Sequence, residues 1–369
     1  MENFMDALPS IFLERLNRII PPEKISTVLE TFHRYKALSI RMNTLKSNSR
    51  EVRDCLLRKD IRLIEVPWYD HGFLVEGVEP QELSRLDEVN EGKVYIQSLS
   101  SMLPVVVLDP KPGETILDLC AAPGSKTTQM AAHMNNQGKI VAVEAVRGRF
   151  YRLKSVIQLL GAQIIEPKCL DGRRYRLSGD ALGVIPVPAF CRSRARPGTS
   201  GRRARESGNP HAGINSSGNP KVGPRFRGGD KINNGFDKIL VDAPCSSEGR
   251  FKSFDKESVG YWSLRKIKEM VQKQRGLLWN ACRMLKPGGV LVYSTCTFAP
   301  EENEGVVDWV LRKMDGEVAV EPIDLSHVEC YPAIVEWGGR IFNQQVRHCC
   351  RVLPTSSMEG FFMAKLVRR

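Results

Sequence analysis

The stretch TILDLCAAPGSKTTQMA, residues 115–131, decides the fold. Thr115 to Leu119 is a short β-rich run, Cys120 to Ser125 is a turn of small residues with a single Gly, and a helical pattern follows over 126–134. A strand that passes through such a turn into a helix is how an open parallel sheet builds a ligand site. The turn lets backbone approach the ligand, and the helix N-terminus offers unpaired amides. The same rhythm repeats outward. Strand candidates lie at Lys139–Val143, Gln163–Ile165, Lys238–Asp242 and Gly289–Ser294, alternating with helical patterns at 147–160, 258–285 and 301–314. Val290 to Tyr293 and Ile239 to Val241 are continuous apolar runs, as strands buried on both faces require. The alternation predicts an α/β domain with a doubly wound, mostly parallel sheet covered by helices on both faces.

The 369 residues suffice for two or three domains. Over residues 1–95 the texture differs: Ile11, Phe12, Leu13, Leu16, Ile19 and Ile20 recur at helical spacing until Pro21-Pro22, and Ala37–Met42 and Phe73–Val75 read as strands. A small N-terminal α+β domain is expected over 1–95, with the larger domain over 96–369. A segment at about 183–233 interrupts the latter. Its core, 192–231, holds eight Gly, four Pro, the repeat SGNP, and +8 of the chain's net charge of +12, which leaves only +4 for the rest. With so little apolar surface to bury, it is expected to be a disordered surface insertion, a basic arm touching RNA phosphates being the functional alternative.

No apolar run approaches the roughly 18 residues of a membrane helix, and charges interrupt the N-terminus too early for a signal peptide. A cytoplasmic protein, monomeric and with no membrane partner, is expected, its ten cysteines reduced. There is no CxxC and no HxxxH, so no metal site is expected.

Three ligands compete for the 118–131 turn. A phosphate loop needs GxxxxGK, but Ser125 separates Gly124 from Lys126 and no Gly lies five positions before Gly124; a dinucleotide fingerprint needs three glycines, and only Gly124 is present. S-adenosylmethionine needs the tight turn and brings no phosphate to neutralise. Glu144, at the end of the second strand, is placed to accept from ribose hydroxyls, and Asp171, after the third, to reach the adenine edge or to serve as a turn residue.

The DAPC at 242–245 and the STCT at 294–297 end two apolar strands, so Asp242, Cys245 and Cys296 converge on the carboxyl edge of the sheet. A buried Cys is most often a small hydrophobe. Beside a methyl donor a thiol has a use: carbon 5 of a pyrimidine is too weakly nucleophilic to take a methyl until a thiolate adds at carbon 6 and makes it enamine-like. An acid hydrogen-bonded to the ring would stabilise the charge that develops. The residues alone do not decide which cysteine attacks.

The runs DLCAAPGSKTTQMA (118–131), DAPCSSEG (242–249), KPGGVLVYSTCTFAPEENE (286–304) and EGFFMAKL (359–366) resemble the Nop/Sun family of RNA (cytosine-5) methyltransferases. RMNTLK (41–46), PWYDHGF (67–73) and YIQSLSSMLP (95–104) look like its bacterial ribosomal-RNA branch and archaeal relatives. The resemblance implies a class I S-adenosylmethionine-dependent fold and methyl transfer to cytosine in rRNA or tRNA. It implies Cys296 as nucleophile, Cys245 assisting product release, Asp242 binding the cytosine and Lys126 at the edge of the active site. Cys120, Ala121, Ala122, Pro123, Gly124, Ser125, Lys126, Glu144, Asp171 and Asp242, with Arg149 as a further candidate, would form the cofactor pocket. Arg41, Asn43, Arg250, Lys252 and Arg347 are candidate RNA contacts. The alternative is a non-catalytic RNA-binding or assembly protein that keeps the fold but is silenced by the insertion.

Overall fold

The computed structural model describes residues 8–177 and 235–369; the expectation of a disordered insertion at about 183–233 lies outside the described residues. The N-terminal part opens with the helix Ser10–Ile19, whose Phe12 and Leu16 are buried, and contains a four-stranded antiparallel sheet. Its strands are β1 (Leu38–Met42), β2 (Arg62–Glu65), β3 (Gly72–Glu76) and β4 (Val94–Ile96), in the order β2-β3-β1-β4.

The larger sheet has nine strands. Five of them, β5 (Thr115–Asp118), β6 (Lys139–Glu144), β7 (Ile165–Cys169), β8 (Phe236–Asp242) and β9 (Leu285–Thr295), are parallel and run β9-β8-β5-β6-β7 across the sheet. The chain winds outward from β5 through β6 and β7, then returns to β5's other side for β8 and β9. Strand order therefore reverses between β5 and β8, and the crevice opened there is where doubly wound sheets bind ligands. Beyond β9 the sheet turns antiparallel through β10 (Val318–Glu321), β11 (Cys330–Pro332), β14 (Cys350–Val352) and β15 (Phe361–Arg368), while β12 (Glu336–Trp337) and β13 (Arg340–Ile341) form a separate two-stranded ribbon. β15 pairs with β9, β10 and β14, and β11 closes the edge beside β14.

The apolar runs behave as expected of strands covered on both faces: Ile239, Leu240, Val241, Leu291, Val292 and Tyr293 are all inaccessible. The helices Ser125–His133 and Arg147–Leu160 match the sequence reading closely. The pattern expected as one helix over 258–285 is instead a short turn, Lys256–Val259, and the helix Leu264–Met284, because Ser263 caps the latter by accepting from the Lys266 amide at 3.1 Å.

Two expectations need correction. Cys330 and Cys350, on the adjacent strands β11 and β14 with Cα atoms 5.5 Å apart, form a disulfide, so the thiols are not all reduced. Arg41 and Asn43 are not surface RNA contacts, since both are buried. The Arg41 guanidinium donates to the Gln97 side chain at 3.0 Å and to Thr128 Oγ1 at 3.1 Å; Asn43 Nδ2 donates to the carbonyls of Gly92 at 2.8 Å and Leu160 at 2.9 Å. They join the N-terminal sheet to the two helices that follow β5 and β6.

Candidate active site

The turn after β5 holds its shape through named contacts. Gly124 adopts φ +114°, a conformation that strains any other residue, and a Cβ there would press on Leu153 and Val156. Asp118, buried at the end of β5, accepts from Thr127 Oγ1 at 2.7 Å and from the Cys120 amide at 3.3 Å, and burial pushes its carboxyl up to about 7. Arg149 crosses from the next helix to donate to the Ala122 carbonyl at 2.5 Å and lies 3.7 Å from Glu144. Glu144 is buried at the tip of β6 and accepts from the Val146 amide at 2.8 Å. Asp171 is clamped by Arg173, whose guanidinium nitrogens approach its two oxygens at 2.5–3.1 Å.

Asp242 ends β8 beside Ser294 of β9, whose hydroxyl donates to it at 2.8 Å. Its other oxygen meets Lys126 Nζ at 2.7 Å, and Lys126 also donates to Ser101 Oγ at 2.8 Å. Cys245 and Cys296 lie with their sulfurs 3.4 Å apart. The two thiols are pushed in opposite directions. Cys296 is lowered, first by the hydrogen bond from Cys245 and then by the nearby charge of Arg250; Cys245 is raised by its bond to Cys296 and by burial. Of the two thiols, Cys296 is therefore the one held in the more readily ionised environment.

Two buried glutamates that the sequence reading missed brace the loops carrying these thiols. Glu302 accepts from the Ser246 amide at 3.0 Å and from Gln274 Nε2 at 2.7 Å, and Gln274 also donates to the Pro244 carbonyl at 2.9 Å. Glu248 accepts from Trp262 Nε1, Thr297 Oγ1 and the Phe298 amide at 2.8–3.0 Å. The DAPC loop is thus bound through Glu302 to the segment after STCT, and the STCT loop through Glu248 to the segment after DAPC. At the back, Gly249 packs so tightly on Gly360 that a Cβ on either would overlap its neighbours. The only available signal was the motif runs SSEG and EENE, where an acid reads as a helix start.

Two clefts meet at Asp242 and Cys296. One is lined by Glu144, Asp171, Leu277 and Cys245, the other by Lys126, Arg250, Glu359 and Phe361, and the turn residues Cys120 and Ala122 face both. The residues expected at the site are thus gathered around the switch point, Pro123 as an exposed part of the turn that lines the second cleft. The first cleft fits S-adenosylmethionine chemically. Small residues let the ligand approach backbone, two strand-end carboxylates suit ribose hydroxyls and a cationic sulfonium, and neither suits a pyrophosphate. Among the described residues no cluster of His, Cys, Asp and Glu could hold a metal ion.

Doubly wound topology, a small-residue turn at the switch point and acidic strand ends define a methyltransferase of class I architecture. The chain belongs to the family described as 16S rRNA methyltransferase RsmB/F, whose model matches residues 105–192 and 225–367 and leaves 193–224, within the basic segment, unmatched. It is 35% identical, over 90% of its own length and 89% of the relative's, to the tRNA (cytosine(49)-C(5))-methyltransferase of Pyrococcus abyssi. It is 31% identical, over 97% of its length, to the ribosomal RNA small subunit methyltransferase F of Vibrio parahaemolyticus, of which it spans 63%. The crystal structure of a methyltransferase homolog protein from Pyrococcus horikoshii superposes with a TM-score of 0.73 at 27% identity, covering the whole of both chains.

Proposed function

We propose that this protein transfers a methyl group from S-adenosylmethionine to carbon 5 of a cytosine in ribosomal or transfer RNA, in the cytoplasm. The observation that carries the reading is the pair of thiols 3.4 Å apart at the junction of two clefts, one suited to the donor and one open to a base. S-adenosylmethionine, when bound, supplies an electrophilic methyl. The Cys296 thiolate adds to carbon 6 of the cytosine, and the ring's electron pair shifts to make carbon 5 nucleophilic. Carbon 5 takes the methyl and leaves the demethylated donor; its proton passes to water, the carbon–hydrogen electron pair re-forms the 5,6 double bond, and the carbon 6–sulfur bond breaks to return the thiolate to Cys296, with Cys245 assisting that release. Asp242, held by Lys126 and Ser294, binds the base and stabilises charge developing on it. Glu144 and Asp171 hold the donor's adenosine. The target nucleotide must be unpaired or flipped out of its helix, because carbon 6 is unreachable within a stack.

The test is methyl transfer from labelled S-adenosylmethionine to total RNA. Cys296→Ala is expected to lose activity by on the order of 10³-fold or more while still binding the donor. Wild-type rates in that variant would overturn the reading.

A further inference from the structure

Three aromatic rings face solvent on the segments around Arg250, a residue of the base-side cleft: Tyr35, Phe254 and Tyr261 are 74%, 41% and 52% exposed. Tyr35 and Phe254 are mutual neighbours with ring centroids 4.9 Å apart, and Lys252 Nζ sits 4.6 Å from the Tyr35 ring centre. Arg250, two residues before Lys252, lines the cleft that holds Cys296, pairs with Glu359 at 3.3 Å and lies within electrostatic reach of Tyr261. The rings ride on anchored backbone. Phe251 is buried against Phe12, the Ser253 amide donates to the Phe32 carbonyl at 2.9 Å, and Ser253 Oγ meets His33 Nδ1 at 2.5 Å.

Isolated exposed apolar side chains are ordinary, but three rings interleaved with two cations on a fixed rim are a composition that suits unpaired nucleotides. A base stacks on the aromatic face while the cations meet its phosphates. Extruding the target cytosine removes a stacking partner from the nucleotides beside it, and an aromatic surface reached by way of Arg250 can replace that partner. Building on the proposed methyl transfer to RNA, we infer that Tyr35 and Phe254, with Lys252 and Arg250, form a stacking platform for a nucleotide adjacent to the target cytosine.

The experiment measures binding of the full-length protein to a fluorescent single-stranded oligocytidylate, together with donor binding, thermal melting and methyl transfer to total RNA. The double variant Tyr35→Ala/Phe254→Ala is expected to bind the oligonucleotide about tenfold more weakly, with donor affinity and melting unchanged. Tyr35→Phe/Phe254→Tyr, which keeps both rings, is expected to retain wild-type affinity. Equal affinity in the alanine variant, or equal loss in the ring-preserving one, overturns the platform and leaves the methyl-transfer reading standing. A wild type that binds the donor but methylates no RNA overturns that reading instead.

Discussion

At the scale of single residues, the chemistry depends on where one proton sits. Burial and its neighbour hold the Cys245 thiol up, while the contact with Cys245 and the positive charge of Arg250 hold the Cys296 thiol down. Both act to lower the Cys296 thiol from its ordinary value. If Cys296 attacks as proposed, the single-turnover rate of methyl transfer at saturating RNA should rise with pH as the thiolate forms and then level off. Arg250→Gln removes one source of the depression, so its inflection should move to higher pH; an unmoved inflection would show that the charge does not reach the thiol. The residue scale is also where sequence reading failed. Arg41 looks like a surface cation, yet it is buried, because its partners Gln97 and Thr128 lie 56 and 87 residues further along the chain. No local pattern reveals such a pairing. Asp242, Cys245 and Cys296 were legible because each follows an apolar strand that fixes where its end must fall.

At the scale of elements, the site is two loops bound to each other by buried carboxyls. Burial pushes Glu302 from 4.5 up to about 8, so at neutral pH it is mostly protonated. A carboxyl whose folded value exceeds its unfolded value contributes stability that is complete below the unfolded value and is lost as pH rises through the folded one. Wild-type stability should thus fall as pH rises from 4.5 to about 8. Glu302→Gln, which cannot ionise, should flatten that fall in chemical denaturation followed across the same range, and an equally steep fall in both proteins would assign it to other groups. Most of the helices and four of the five parallel strands were legible from periodicity and apolar runs; the third parallel strand, expected at Gln163–Ile165, runs Ile165–Cys169 instead, a stretch whose Glu166, Pro167 and Lys168 break the apolar pattern. β10 to β14 were not, since strands of two to four residues carry too few alternations to stand out.

At the scale of the molecule, the ends of the insertion converge on one helix. Arg176 donates to Asn280 Oδ1 at 2.9 Å, and Gly235 packs on the carbonyl of Met284, one turn further along Leu264–Met284. Ends this close need little chain between them, and loop length costs entropy only logarithmically. Replacing residues 178–234 by a short Gly/Ser linker should leave donor affinity and methyl transfer within about threefold of wild type. A loss of donor binding in that protein, measured by calorimetry, would show that the segment contributes to the pocket. The N-terminal sheet is likewise tied in by Arg41 and Asn43, so it shares one framework with the two helices that follow β5 and β6.

The central claim is that sulfur 296 bonds to the pyrimidine, and the most direct measurement of it is mass spectrometry of Cys245→Ala after incubation with S-adenosylmethionine and RNA, digested to peptides and nucleosides. The account predicts a trapped methylated cytidine on the peptide carrying Cys296; an adduct on any other residue, or free turnover with no adduct, would contradict it.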